Sequence, residues 1–192
     1  MMEAIIRLDT ALFHAINTGL VSTVLDVAMP FVTEKTNFLF VILAAVVFIA
    51  ARGKRDEMRG LVVLVIAVLI SDFMATSLKN VFLRVRPCHA LEGVRLLVGC
   101  SGSYSFPSGH ATNIFTAMVF LSFMYKRLAP FFLALAVAVA YSRVYLGVHY
   151  PADVLSGAVL GAVTALFFVE ADRRWVKTLL DHLKNKRDSL EA

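Results

Sequence analysis

Long apolar segments separated by short basic stretches constrain the fold of this chain more than any other feature. Of its 192 residues, 59% are hydrophobic and only 17% carry a formal charge, against about 25% in soluble proteins. An apolar helix of roughly 20 residues can cross a membrane. The pattern therefore predicts an all-α, integral membrane helical bundle. The predicted spans are residues 37–51, 60–78, 109–125, 128–146 and 152–170.

Residues 1–35 have the pattern of amphipathic or interfacial helices. Apolar side chains recur there at helical spacing, with Asp9 off the apolar stripe, and Ser22 is a candidate cap for a second short helix. Such helices lie at the membrane interface or pack on the bundle. A span over residues 20–33 also stays open, so five to six transmembrane helices are expected in all.

The distribution of basic residues predicts how the bundle is oriented. Basic loops of membrane proteins stay in the cytoplasm, which places residues 80–108 and 146–151 on the outer side. The net charge of +5 thus fits cytoplasmic flanks, and no nucleic-acid partner is expected. The whole chain, 1–192, is expected to form a single domain. The basic cytoplasmic segments are residues 52–59, 126–127 and the tail 171–192.

Ionisable residues gather in the apolar stretch 141–153, which holds Arg143, His149 and Asp153. Ionisable groups at a membrane are costly unless they are paired, so their presence is a hypothesis of function. Lys79 and Arg86 lie seven residues apart and share a face if their helix continues. These two cations need an anionic partner, and lipid headgroups are one candidate.

The segment that opens the third predicted span has features of an anion site. Ser108 is a candidate N-cap, and Gly109 lets the backbone approach a ligand closely. Free N–H groups at a helix start attract anions. His110, in the first turn, is either a proton donor to a leaving group or an incidental histidine of a capped helix.

Two cysteines lie in the same outer loop. If that loop faces an oxidising space, Cys88 and Cys100 are expected to form a disulfide; if it faces the cytosol, they are two reduced thiols. No metal site is expected, although His89 and His110 are near, because the Cys-x-x-Cys spacing of zinc sites does not occur.

Taken together, three segments resemble the signature of the type 2 phosphatidic acid phosphatase family. That family includes integral-membrane lipid phosphatases, with soluble acid phosphatases and vanadate-dependent haloperoxidases among its relatives. The resemblance covers residues 79–153, and the flanks 1–60 and 170–192 carry no part of it. The matching segments are Lys79-x6-Arg86-Pro87, Pro107-Ser-Gly-His110 and Ser142-Arg143-x5-His149-x3-Asp153.

The resemblance implies a role for each motif residue. His149 would be the nucleophile that forms a phosphohistidine, Asp153 would hold the second nitrogen of its ring, and His110 would protonate the leaving oxygen. The resemblance implies no metal and no cofactor, because three cations do what magnesium does elsewhere. The phosphate-binding residues would be Lys79, Arg86, Ser108, Gly109 and Arg143.

The function expected from this resemblance is hydrolysis of a lipid phosphate or diphosphate at the outer face of a membrane. Undecaprenyl diphosphate is favoured, while phosphatidylglycerol phosphate, phosphatidate and lipid A phosphates stay open. A bacterial inner membrane is implied, with the site facing the periplasm or exterior, and the oligomeric state is left open. The alternatives of another class are a lipid phosphotransferase and a non-catalytic lipid-binding bundle. The second is disfavoured because binding alone requires no nucleophile.

Overall fold

The computed structural model describes residues 2–38, 43–44, 46–48, 51, 55–179 and 181–182, and these form helices and turns without a strand. The predicted all-α class is confirmed. Seven of the 15 residues of the predicted span 37–51, and half of the tail 171–192, lie outside the described residues. In chain order the helices are α1 (Met2–His14), α2 (Thr23–Thr33), α3 (Arg55–Phe82), α4 (Pro87–Ala90), α5 (Gly109–Met124), α6 (Ala129–Tyr145) and α7 (Pro151–Ala171).

Three stretches of the described chain are long and apolar enough to cross a membrane: Arg55–Ala90, Lys126–Tyr145 and Pro151–Leu179. Helix α5, with 16 residues, is shorter and packs against α3, α6 and α7. Helix α2 has 11 residues, or about 16 Å of helix, which is half the apolar thickness of a bilayer. Residues 20–33 therefore do not form a span alone. The segments Glu3–Gly19 and Thr23–Thr33 meet at 115°, and only together, as one bent pair, are they long and apolar enough to cross a membrane.

Helices α5 and α7 approach so closely that two positions on α7 require glycine. A Cβ atom on Gly157 would lie 2.6 Å from the carbonyl oxygen of Ser108, and one on Gly161 would overlap the carbonyl oxygen of Thr112. Small residues four apart commonly permit such contact between membrane helices. The N–H of Ser108 also donates to the carbonyl oxygen of Asp153 at 2.9 Å. The start of α5 is thereby fixed against the first turn of α7.

The N-terminal helices pack on the bundle through buried polar contacts. The Asn17 side chain donates to the carbonyl oxygens of Arg95 and Tyr145, each at 2.8 Å. It also accepts the N–H of Arg95 at 2.8 Å. The Tyr145 hydroxyl donates to Asp26 on α2 at 2.5 Å. Packing on the bundle, one of the two placements expected for this region, is found, while a location at the membrane interface stays a prediction.

Helix α3 does not continue to Arg86, so the condition for Lys79 and Arg86 to share a helix face is not met. The helix ends at Phe82, and Leu83 adopts a positive φ of 51°, which an L-residue in a helix does not. Residues 83–86 run without helical structure. The two cations are brought near one another by the loop that follows, not by helical periodicity.

The connections between helices sort into two groups at opposite ends of the bundle. At one end, Arg59 bonds Asp172 at 2.8 Å and both line a pocket with Tyr125. At the other end, the Arg86 side chain reaches the carbonyl oxygen of Val148 at 3.0 Å. The loops predicted to share a side do meet. Which membrane face each group occupies stays a prediction.

Candidate active site

The turn between α6 and α7 carries His149, whose exposed fraction is 1%. Its Nδ1 lies 3.5 Å from Oδ2 of Asp153, and its Nε2 lies 3.1 Å from Nη1 of Arg86. A guanidinium group only donates, so Nε2 accepts and Nδ1 carries the proton towards Asp153. The ring therefore has a lone pair at Nε2, which is what a histidine nucleophile requires.

Burial also keeps the His149 ring neutral. Removal from water lowers its pKa to about 4, with the charge of Arg86 acting in the same direction and Asp153 opposing both. Desolvation disfavours the charged form of any buried group. At neutral pH the ring is therefore unprotonated at Nε2.

The Asp153 carboxylate is fully occupied by donors. Its Oδ2 accepts a short hydrogen bond from the Ser105 hydroxyl and another from the N–H of Tyr150 at 2.9 Å. Its Oδ1 accepts from Nη1 of Arg84 at 2.7 Å. The Ser105 hydroxyl also lies 3.4 Å from Nδ1 of His149. Donors on both oxygens restrict rotation of the carboxylate beside the ring.

The two cations of the first motif hold the loop between α3 and α5 in place. Nε of Arg86 donates to the carbonyl oxygen of Ser103 at 2.7 Å. Nζ of Lys79 donates to the carbonyl oxygens of Tyr104 and Pro107 at 2.8 and 2.7 Å. Both residues therefore position the segment that carries Ser105, in addition to the phosphate role expected of them.

Ser108 and Gly109 begin α5 as expected, but the Ser108 hydroxyl does not cap the helix. It is buried, and it has no hydrogen-bond partner among the residues that the structure describes. A buried polar group without a partner costs about 1–3 kcal/mol. A Cβ at Gly109 would meet nothing within 4 Å. The start of α5 thus has a spare donor and open space, which is suited to a bound anion.

His110 and Arg143 lie in the wall of a cavity of about 630 Å³, together with Thr33 and Glu34 of the N-terminal region. Nη1 of Arg143 donates to the Thr33 hydroxyl at 2.8 Å. Its buried Nε has no partner within the described part of the chain. The carbonyl oxygen of Arg143 accepts the N–H of His149 at 3.3 Å, so the cavity adjoins the cluster around His149.

Cys88 and Cys100 form a disulfide in the structure. Nε2 of His89 lies 3.2 Å from the sulfur of Cys100, and the three ligand-type atoms lie within 4.8 Å of one another. Zinc sites use cysteine thiolates, which a disulfide does not offer. The cross-link closes residues 89–99 into a ring that ends three residues before Ser103.

Sequence reasoning gave no role to Ser105 or Asp9, and both contact the site. Asp9 bonds Arg84 at 2.6 Å, and Arg84 in turn bonds Asp153. The available signals were the position of Asp9 off its apolar stripe and the presence of Arg84 in a loop predicted to be extracytoplasmic, against the usual charge bias. Ser105 had no signal beyond its place two residues before the Pro107 motif.

Known proteins resemble this chain along most of its length. A model described as the PAP2 superfamily matches residues 60–177. A protein of Bacillus licheniformis, named bacitracin transport permease protein BcrC, is 34% identical over 129 residues, which are 67% of this chain and 63% of that protein. The undecaprenyl-diphosphatase of Sulfolobus acidocaldarius is 30% identical over 172 residues, with 88% of this chain and 81% of that protein covered. This chain therefore spans just under two thirds of the first relative and about four-fifths of the second.

The fold has a solved counterpart. A transmembrane PAP2 type phosphatidylglycerolphosphate phosphatase from Bacillus subtilis has a TM-score of 0.73 to this structure at 25% sequence identity. The match covers 90% of this chain and 88% of that one. It supports an integral membrane protein. Since the matching family model covers more than half of the chain and includes all three motif segments, this protein belongs to the PAP2 superfamily.

Proposed function

We propose that this protein is a metal-independent membrane lipid phosphatase that hydrolyses a lipid phosphate or diphosphate through a phosphohistidine at His149. The observation that carries the proposal is the contact of Nε2 of His149 with Arg86 at 3.1 Å. This contact leaves Nδ1 to face the Asp153 carboxylate. A bundle that merely holds a lipid headgroup has no use for a buried neutral imidazole oriented by a carboxylate.

In the first step, Nε2 of His149 attacks phosphorus, and the bond from phosphorus to the lipid oxygen breaks as the new bond forms. His110 donates a proton to the leaving oxygen, and Asp153 stabilises the positive charge on the His149 ring. Water then attacks phosphorus, the bond from phosphorus to Nε2 of His149 breaks, and inorganic phosphate is released. His110, neutral after the first step, accepts the proton of that water.

The non-bridging oxygens of the phosphoryl group would be held by the cations and by the start of α5. Three features support this: the Ser108 hydroxyl and the Arg143 Nε, which have no hydrogen-bond partner among the described residues, and the open space at Gly109. Lys79 and Arg86 add positive charge near the transferred group. These side chains would stabilise the charge that develops during transfer without a metal ion.

Undecaprenyl diphosphate is the substrate we favour, because a relative that covers 88% of this chain is named an undecaprenyl-diphosphatase. Phosphatidylglycerol phosphate is supported by the solved counterpart, and phosphatidate and lipid A phosphates are further candidates. The cavity beside His110 would receive the leaving group. We place the site at the outer face of a bacterial inner membrane, following the basic residues of the opposite loops.

The test is phosphate release by the purified protein in detergent with EDTA, over a panel of lipid phosphates and diphosphates. Release is expected in EDTA and is lost in His149→Ala. A strict requirement for magnesium would contradict the mechanism. If no substrate of the panel releases phosphate, the assay is repeated with lipid or sugar alcohols as acceptors. Phosphoryl transfer to these alcohols would favour the phosphotransferase. Binding of the lipid without turnover would favour the lipid-binding bundle.

A further inference from the structure

A single arginine joins the N-terminal helix to the carboxylate that faces the candidate nucleophile. Nη1 of Arg84 donates to Oδ1 of Asp153 at 2.7 Å, and Nη2 donates to Oδ2 of Asp9 at 2.6 Å. The side chain of Arg84 is 26% exposed, while those of Asp9 and Asp153 are 7% and 0% exposed. The three groups form a continuous carboxylate–guanidinium–carboxylate chain that is largely shielded from solvent.

Asp9 is also bonded to the backbone of α7. Its Oδ1 accepts the N–H of Ala152 at 2.8 Å, one of the N–H groups at a helix start that have no partner within the helix. The Arg84 guanidinium lies 4.0 Å from the centre of the Tyr150 ring, which favours a cation–π contact. Helix α1 and Arg84 therefore both contact the first turn of α7, on the side that carries Asp153.

Arg84 holds a second partner of Asp153 through its backbone. Its carbonyl oxygen accepts the N–H of Ser105 at 2.7 Å, and Ser105 donates its hydroxyl to Oδ2 of Asp153. One residue thus fixes Oδ1 directly and a donor to Oδ2 indirectly. A carboxylate with one free oxygen can rotate and lose its alignment with Nδ1 of His149. With both oxygens held, it cannot.

The same contacts argue against Arg84 as a phosphate ligand. Both of its terminal nitrogens donate to carboxylates, and its charge is balanced by two acids. A phosphate could bind Arg84 only by displacing Asp9 or Asp153.

We propose that Arg84 and Asp9 are positioning residues for phosphoryl transfer: they hold Asp153, and through it the ring of His149, in the orientation needed for attack. This rests on the proposed function. It makes the N-terminal helix α1, which lies outside the three motif segments, a working part of the active site.

The chain offers a matched control in Arg95. Arg95 pairs with Asp26 of α2 as Arg84 pairs with Asp9 of α1, and its side chain is 23% exposed. Both arginines tie an N-terminal helix to the outer loop, but only Arg84 contacts Asp153. Arg95→Ala therefore tests whether docking of the N-terminal region alone accounts for any effect.

In the kinetic test, Arg84→Ala and Asp9→Ala are each expected to lower kcat by roughly 10- to 100-fold, the size expected when a reacting group is misplaced by about 1 Å. KM and inhibition by orthovanadate should stay within about twofold of wild type, and Arg95→Ala should keep most activity. In an Asp153→Asn background, Arg84→Ala should add less than about a twofold loss, because its target is already altered.

Three results would overturn the proposal. Weaker inhibition by vanadate in Arg84→Ala would indicate that Arg84 is a phosphate ligand. Fully multiplicative losses of kcat with Asp153→Asn would indicate that Arg84 acts independently of Asp153. An equal loss of kcat in Arg95→Ala would indicate that Arg84 only docks the N-terminal helices on the bundle. Arg84→Lys and Asp9→Asn, which nearly conserve side-chain volume, replace any alanine variant that does not fold.

A second readout does not depend on activity. In ¹⁵N NMR of histidine-labelled protein, His149 is expected to carry its proton on Nδ1, and Arg84→Ala should shift the ring towards a mixture of tautomers. An unchanged His149 spectrum in Arg84→Ala would disprove the proposal even if no substrate were turned over. Loss of the lipid phosphatase function itself would appear separately, as absence of phosphate release by the wild-type protein.

Discussion

The guanidinium of Arg86 donates to Nε2 of His149 across 3.1 Å, so the cation expected to bind the phosphate also contacts the nitrogen expected to attack it. The two roles are compatible if a phosphate oxygen replaces Nε2 as the acceptor when substrate binds. Arg86 would then move from holding the nucleophile to holding the group under attack. The contact explains how a reactive lone pair is kept ordered in a buried site.

We expect Arg86→Lys to lower kcat/KM by about 10²-fold. A lysine presents one point of charge and cannot reach Ser103, Val148 and His149 together as the guanidinium does. Steady-state phosphate release checks this. Arg127→Lys, at an exposed position at the other end of the bundle, serves as the control, and near-normal turnover by Arg86→Lys would contradict the assignment.

The pH dependence of activity should report the pKa of His149, which burial lowers to about 4. Protonation of Nε2 would block attack, so the acidic limb of kcat/KM that belongs to this group should fall near pH 4. An unperturbed histidine would place that limb near pH 6.5. A profile of kcat/KM between pH 3.5 and 8 distinguishes the two, and a limb at 6.5 would be evidence against the neutral buried ring.

The same low pKa of His149 makes a prediction for stability. The unfolded chain binds a proton at this residue below about pH 6.5 and the folded chain does not, so folded-state stability falls as the pH drops from about 6.5 to 4. The loss attributable to this group is on the order of 3 kcal/mol. Thermal unfolding in detergent at pH 7.5 and 4.5 checks it. The Tm of His149→Asn should differ less between the two pH values than the Tm of the wild type does. An equal difference in Tm would exclude His149 as the cause.

Ser108→Ala should separate binding from stability. The hydroxyl it removes is buried and has no partner among the described residues, so the free energy of unfolding should stay the same or rise. Inhibition by orthovanadate and kcat/KM should both fall, because the proposed donor to the phosphate is lost. Ser122→Ala is the control, because it removes a hydroxyl that does have a hydrogen-bond partner. That hydroxyl donates to the carbonyl oxygen of Met118 at 2.7 Å and lies far along α5, so its loss should leave activity unchanged.

Gly161→Val should destabilise the bundle by about 1–3 kcal/mol, the usual result of overpacking, because its Cβ would overlap the carbonyl oxygen of Thr112. Separation of α5 from α7 would also disturb the bond from Ser108 to Asp153, so phosphate release should fall with the Tm. Val159→Leu, on an exposed face of α7, adds a methylene without that clash. Wild-type stability in Gly161→Val would show that the two helices have more room than the structure indicates.

Thiol labelling checks the disulfide between Cys88 and Cys100. Folded protein under non-reducing conditions should not react with a maleimide, and reduction should expose both thiols. Ready labelling before reduction would mean that the pair is not formed in the folded protein.

Local patterns in the sequence were enough to predict the helical class, most helix positions and the motif residues between 79 and 153. Hydrophobic periodicity and segment length are local features that can be read from neighbouring residues. The spacing of four residues between His149 and Asp153 is local in the same sense. A helix face shared by Lys79 and Arg86 was predicted only for an unbroken helix, and that condition is not met. The chain instead leaves helical geometry at Leu83, and no apolar pattern encodes that change.

The sequence by itself determined which residues could perform the chemistry, since those choices rest on residue type and short spacing. Only the tertiary structure decided which other side chains hold these residues in position. Arg84 meets Asp153 across 69 positions of the chain and Asp9 across 75. Contacts at such separations arise from how α1 packs against the start of α7, and packing depends on the shapes of both helices together, which periodicity along one segment does not specify.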